Sequence, residues 1–375
     1  MVTNLFKCFT FVFALFSISF NLFAKTEQPN IILIIADDLS WDDIGAYGHP
    51  NIHTPNLDNM AKEGMRFDSA YLTASSCSPS RASMLTGRYP HNTDAEQLHW
   101  DLPLSQTTFA EVLGATGYWT AAAGKWHLGE KIKQRFDLVK EAKYGEGSLS
   151  GAGEWLDLLD ERPQGKPFFL WLAAWDAHRP FFQGAHPYNH KQQDVRLPPY
   201  YPPTELFIDD FVAYYDEISR FDANVGKVLK KLQQQNVVEN TLVLVVSDNG
   251  RPYARDKTTL FDSGVKTPMI AYWPNGIAKG SVSNSIVSSI DISATFLDLA
   301  SAKKPNTVEG KSFRRLFEKP DQVFRQYAIS ERNWHDFEDH GRSIRSQRFR
   351  YIRNNYNDLP LHPAPIRSII KRGGN

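Results

Sequence analysis

The sequence predicts an α/β protein with a mostly parallel central sheet sandwiched by helices, followed by a small C-terminal α+β unit. Two observations lead there. Strand-like apolar runs alternate with helix-like stripes along most of the 375 residues, the pattern of a parallel sheet covered on both faces. The composition is that of an ordinary globular chain, 42% hydrophobic with 42 basic and 42 acidic residues. A net charge of zero excludes a nucleic-acid binder that relies on a basic excess, and this hydrophobic content excludes intrinsic disorder. Any anion site must therefore be a local cluster of cations.

Residues 1–24 (MVTNLFKCFTFVFALFSISFNLFA) set one early lysine before an apolar run that stops at Ala24. This reads as a secretory signal peptide. The mature chain is then exported, periplasmic or secreted, with no second span of membrane length. Signal removal takes Cys8 away and leaves Cys77 with no internal disulfide partner.

Residues 30–36 (NIILIIA) form a continuous β-branched run, expected of a strand buried on both faces. Leu57, Met60, Ala61, Gly64 and Met65 recur at helical spacing, as do Phe109, Val112 and Leu113. Short strands are expected near 118–123 and over 167–174. Segment 184–204, with five prolines, reads as a long loop over the site. Tyr214, Ile218, Phe221, Val225, Leu229 and Leu232 stripe a long amphipathic helix. Strands follow over 241–246 and 268–273. The main domain is placed at 25–318. A C-terminal subdomain at 319–375, with strands over 326–331 and 343–354, reads as cut short, because two strands make a poor independent sheet.

Two buried strands end alike, one in Asp37-Asp38 and the other in Ser247-Asp248-Asn249-Gly250. Ligands of open α/β sheets collect beyond such carboxyl ends. Three carboxylates and an amide brought together there repel unless a cation sits among them, and oxygen donors suit Ca²⁺ or Mg²⁺ better than zinc. Pro79 fits a first helical turn, which puts Cys77 at a helix N-terminus where an anion is favoured, with Arg81 one turn along. On this ground alone Cys77 would be a nucleophilic thiolate of low pKa.

Cys77-Ser78-Pro79-Ser80-Arg81, continuing to Thr86-Gly87-Arg88, resembles the signature of the type I, formylglycine-dependent sulfatases of the alkaline phosphatase superfamily. The companion segments follow in that family's order, beginning with Asp37-Asp38 ahead of the signature. After it come Gly124-Lys125-Trp126-His127-Leu128-Gly129, Asp176-Ala177-His178-Arg179-Pro180, Asp248-Asn249-Gly250, and Lys257 through Gly264-Val265. The resemblance implies an alkaline phosphatase-like fold. It also implies conversion of Cys77 to Cα-formylglycine by a formylglycine-generating or anaerobic sulfatase-maturing enzyme. A Ca²⁺ ion, or Mg²⁺, would be held by Asp37, Asp38, Asp248, Asn249 and residue 77. Arg81 and Lys125 would hold the hydrated aldehyde, and Lys257 would neutralise sulfate oxygens. His127 would take the proton when the aldehyde reforms, and His178 would protonate the leaving group, both titrating near neutrality.

The implied substrate is a sulfated carbohydrate, with no nucleic acid and no membrane after signal cleavage. The Trp175–Pro180 segment is similar to the sulfamidase branch, which acts on N-sulfoglucosamine, whereas Lys257 matches the general O-sulfatase pattern. His99, Trp100, Arg332, Trp334 and His335 are expected to line a sugar pocket. Two other readings compete. A phosphatase or phosphodiesterase of the same fold would want a Ser or Thr nucleophile and ligands for a second metal. An inactive, truncated binding protein would lack turnover.

Overall fold

The computed structural model describes residues 28–144, 149–182, 186–336 and 338–356. The signal read over 1–24 and the residues from 357 onward lie outside them. The first strands are β1 (Asn30–Ala36), β2 (Met65–Phe67), β3 (Ala70–Tyr71), β4 (Trp119–Gly124), β5 (Leu138–Glu141) and β6 (Phe168–Ala173). After them come β7 (Thr241–Ser247), β8 (Met269–Tyr272), β9 (Ser281–Ser283), β10 (Val287–Ser288), β11 (Ala328–Arg332), β12 (Gly341–Arg345) and β13 (Arg350–Asn354). The α-helices are α1 (Pro55–Glu63), α2 (Cys77–Thr86), α3 (Phe109–Ala115), α4 (Trp155–Glu161), α5 (Glu205–Gln234), α6 (Asp262–Val265) and α7 (Asp291–Leu299).

Eight strands make one sheet in the order β5-β4-β6-β1-β7-β8-β2-β9. From β5 to β7 all neighbours are parallel, and β8 runs antiparallel to both β7 and β2. The apolar run of β1 explains its central place. Ile31, Leu33 and Ile35 enter one core with α2, α3 and α7 side chains, while Ile32, Ile34 and Ala36 enter the other with α1, α4 and α5. Each buried Ile or Leu contributes about 1.5–3 kcal/mol, and such a run gains that on both faces only inside a two-sided sandwich. No helix among the described residues is long and apolar enough to cross a membrane.

Three expected elements change shape. The helical spacing from Leu57 overruns α1, which ends at Glu63; Met65 already belongs to β2. A side chain at Gly64 would meet the Ala271 carbonyl oxygen at 2.3 Å, so the chain turns there by close backbone approach. The long helix starts well before its apolar stripe, because Thr204 caps it and accepts from the Phe207 amide at 3.4 Å. The described part of the proline-rich loop braces the Asp256 turn, through the Tyr200 and Tyr201 hydroxyls at 2.8 and 2.6 Å. It supports the backbone beside Lys257 from outside.

Residues 343–354 are two strands, not one. Ser346 and Phe349 close a turn between β12 and β13 with mutual bonds of 2.8 and 3.0 Å. The result is a three-stranded antiparallel sheet. Its β11 docks where Glu331 N donates to Thr73 O at 2.7 Å, which carries residues 332–335 to the start of α2.

Candidate active site

The carboxyl ends of β4, β6, β1 and β7, neighbours in the sheet, open on one edge. Lys125 follows β4, Asp176 to His178 follow β6, Asp37 and Asp38 follow β1, and Asp248 and Asn249 follow β7. Helix α2 points its first residue, Cys77, at this edge, with Ser76 as the preceding cap position. Every residue of α2 is buried.

Ligand atoms of Asp37, Asp38, Cys77 and Asp248 all lie within 4.8 Å of one another, and all four residues are buried. The Cys77 Sγ is 3.5 Å from Asp37 Oδ1. Asn249 donates its Nδ2 to Asp38 Oδ1, while its own Oδ1 is buried with no hydrogen-bond partner. An unmet buried polar atom costs about 1–3 kcal/mol, and this one belongs to a residue bonded to Asp38 of the donor group. The residues present therefore fit a divalent cation. Among the described residues, the other close donor group is Asp37, Cys77 and His178. It shares two members with the first, so the two groups describe one ion position, not a pair.

Three cations neutralise the three carboxylates. Arg81 Nε and Nη2 each reach Asp248 Oδ2 at 2.8 Å, and Nη1 donates to the Lys125 carbonyl at 3.0 Å. Lys125 Nζ pairs with Asp37 and lies 4.7 Å over the Trp175 ring. Lys257 Nζ bonds both Asp38 oxygens, at 2.6 and 2.9 Å. The formal sum is zero, so an added divalent ion would leave two positive charges for an anionic ligand.

Burial raises the Asp37 carboxyl, yet Lys125, His178, Lys257 and Arg81 together outweigh it and hold the group well below the usual range. At Asp38 burial wins over Lys257 and pushes the carboxyl up to about 7. Burial also pushes the Cys77 thiol up to about 12, against the pull of Lys125 and Lys257. The low-pKa thiolate expected from the helix N-terminus is thereby corrected: desolvation exceeds the helix effect, and the unmodified side chain is a neutral thiol. The histidines also depart from near-neutral titration. Burial, then Lys125 and Arg81, lower His127 to about 2. Burial and then Lys257 lower His178 to about 3.

His178 stands within ligand distance of Asp37 and Cys77. His127 Nε2 is 2.7 Å from His99 Nδ1, and its Nδ1 is buried without a partner. Of the expected pocket residues, His335 comes nearest, its Nδ1 2.8 Å from Ser76 Oγ. His99 donates its backbone amide to Ser78 Oγ at 2.8 Å. Leu98 N donates to Trp334 O at 3.2 Å, joining the two pocket segments. Trp100 and Trp334 are 46% and 36% exposed, at the rim, and Arg332 is ion-paired with Asp339 at 2.9 Å. Arg332, Trp334 and His335 line one small cavity with Ser75, Ser76, Pro79 and Thr258. The sequence reading missed Trp175 under Lys125, and Glu217 and Arg220 behind Asp176. Two charged residues inside the apolar stripe of α5 were the available signal.

The chain matches the Sulfatase family model over residues 29–147 and 149–302. It also matches the model described as N-sulphoglucosamine sulphohydrolase, C-terminal, over residues 253–360. It is 32% identical to arylsulfatase A of Bos taurus over 359 residues, covering 76% of this chain and 67% of that one. Identity to N-acetylgalactosamine-6-sulfatase of Homo sapiens is 30% over 349 residues, covering 75% and 63%. The chain thus spans about two thirds of the length of these relatives. A solved structure in complex with its substrate D-glucosamine-2-N,6-O-disulfate superposes with a TM-score of 0.75 at 21% identity, covering 89% of this chain and 90% of that one, a likeness of fold. The chain belongs to the sulfatase family, enzymes that hydrolyse sulfuric esters.

Proposed function

We propose that the exported protein removes sulfate from a sulfated carbohydrate, using Cα-formylglycine at position 77 and a Ca²⁺ ion. The observation that carries this reading is the buried Cys77, a neutral thiol of little nucleophilicity among three carboxylates and the unpartnered Asn249 oxygen. Such a side chain does little as it stands, and much once oxidised. Once oxidised and hydrated, residue 77 would offer two hydroxyls, one as the nucleophile and one to release sulfate as the aldehyde reforms. Asp37, Asp38, Asp248, Asn249 and residue 77 would hold the Ca²⁺ ion, which would supply Lewis acidity when bound.

The chain's own residues do the rest. Arg81 fixes Asp248 and the Lys125 carbonyl, so two ligand-bearing strand ends keep their spacing. Lys125 and Lys257 exchange part of their attraction to Asp37 and Asp38 for the sulfate oxygens, where charge develops. Burial first and then Lys257 keep His178 neutral; an anionic ester between these lysines would offset the Lys257 part and favour the protonated imidazole needed at the leaving oxygen. His127, its Nδ1 unpartnered, takes the proton released when the aldehyde reforms. His99 and His335 stand at the mouth, where a sugar would enter.

A sugar substrate is supported by relatives whose names specify N-acetylgalactosamine sulfate and by the disulfated glucosamine complex. A second reading, N-sulfate hydrolysis, draws on the C-terminal N-sulphoglucosamine sulphohydrolase match. With matured protein, 4-nitrophenyl sulfate should turn over faster than 4-nitrophenyl phosphate; dominant phosphate release would instead favour the phosphatase reading. Ca²⁺ returned to chelator-treated protein should raise its melting temperature, by an amount equivalent to about 2.7 kcal/mol at a hundredfold excess over Kd. Asn249→Ala should shrink that rise, and an equal rise in both proteins would place the ion elsewhere.

A further inference from the structure

Helix α5 buries four charged residues, Asp216, Glu217, Arg220 and Asp222, of which Glu217 and Arg220 lie nearest the segment after β6. These two are one turn apart and form an ion pair with each other. Arg220 Nε and Nη2 also grip the fully buried Asp176 carboxylate, at 3.2 and 2.6 Å. Glu217 Oε1 accepts the backbone N–H of Phe182 at 2.8 Å. These contacts hold the two ends of the segment that bears His178. A third tie lies between them, where Arg179 pairs with Asp210 near the start of α5 and donates from Nε to the Pro252 carbonyl at 3.1 Å.

The same segment is bonded to the end of β1. Asp37 N donates to Asp176 O at 2.8 Å, and Ala177 N donates to Asp37 O at 2.5 Å. A displacement of Asp176 therefore reaches both the Asp37 backbone and the His178 ring. Burial, then Asp176, push the Glu217 carboxyl up to about 9. Its Oε1 accepts from Phe182 and its Oε2 from Arg220, so an amide of the same shape keeps only one of these two contacts. Buried ion pairs are weak sources of stability, since apolar replacements of similar volume are often no worse. What this cluster supplies is direction, because hydrogen bonds at both ends fix the segment's path while apolar packing would let it slide.

We propose that Glu217 and Arg220 are positioning residues, a two-point clamp that sets His178 against residue 77 and the leaving oxygen. This rests on the sulfatase reading above and adds the way in which α5 serves it. The loss of a supporting partner of this kind lowers turnover by about 10- to 100-fold.

The test compares Glu217→Ala, Glu217→Gln, Arg220→Met and Arg220→Lys in the full matured chain, by kinetics and by amide hydrogen exchange. Glu217→Ala and Arg220→Met should speed exchange across residues 176–182 and lower kcat with KM little changed. Glu217→Gln, which can still accept from Phe182 but no longer from Arg220 as well, should lose less than Glu217→Ala. Should Arg220→Met fail to fold, Arg220→Lys carries that arm, with a smaller loss in the same direction. The loss should be greater for a sulfated sugar, whose alcohol leaves only when protonated, than for 4-nitrophenyl sulfate, whose phenolate leaves readily. A merely structural role would lower both substrates equally. Equal losses, or unchanged exchange over 176–182 in folded Glu217→Ala, would overturn the clamp. If the parent releases no sulfate from any ester, the sulfatase reading fails, and the exchange measurement judges the clamp by itself.

Discussion

Cys77→Ala is expected to lower sulfate release by a factor on the order of 10⁴ or more, the size of effect seen when a covalent nucleophile is removed. The fold should survive. Cys77 is 2% exposed at the first position of α2, and alanine keeps the helix while removing one sulfur. Its melting temperature should thus stay close to the parent's, which separates lost chemistry from lost structure. Cys77→Ser gives a sharper result. A serine offers one hydroxyl where the hydrated aldehyde offers two, so it can attack once and has no second oxygen to expel the product. Mass spectrometry should then find a sulfo group left on residue 77 after exposure to an aryl sulfate. Sustained turnover by either variant would show that the nucleophile lies elsewhere.

Arg81→Met is expected to damage folding and chemistry together. The Arg81 side chain and its partner Asp248 are both 0% exposed. Removing the cation leaves a carboxylate buried beside Asp37 and Asp38, a change that costs about 3–5 kcal/mol when one member of a buried pair is lost. Urea denaturation should report that loss as a lower midpoint. Part of it should return with Ca²⁺, which restores positive charge at the same place. Asp248 is already raised by burial, so without Arg81 it should take up a proton more readily. The variant's stability relative to the parent should then improve as pH falls, because protonation removes the unpaired charge. A variant as stable as the parent at neutral pH would contradict the charge arithmetic of the site.

The fold was legible where the signal is local. The runs at 31–36 and 242–246 are apolar at every turn of the pleat, as expected of a strand covered on both faces. Asp37, Asp38, Asp248 and Asn249 were readable because each follows such a run directly. The misread elements failed for physical reasons. Met65 is buried in helix and strand alike, so periodicity could not say where α1 ends. The turn at Ser346–Phe349 carries no glycine or proline, and 343–354 read as continuous. Charge states were least legible. The Cys77 thiol and His178 are moved by burial and by lysines distant in sequence, and His127 by burial and then its neighbour Lys125, with burial set by the fold and absent from any local pattern. Glu217 and Arg220 belong to the same class, since their partners lie 35 and 44 residues away.

The proposed chemistry depends on which side chain the mature protein carries at position 77. Mass spectrometry of the peptide spanning residue 77, from protein made in its native host and trapped with a hydrazide, tests this most directly. The expected result is an aldehyde in place of the thiol. A peptide carrying the unmodified thiol throughout, from a preparation that still releases sulfate, would contradict the proposed chemistry.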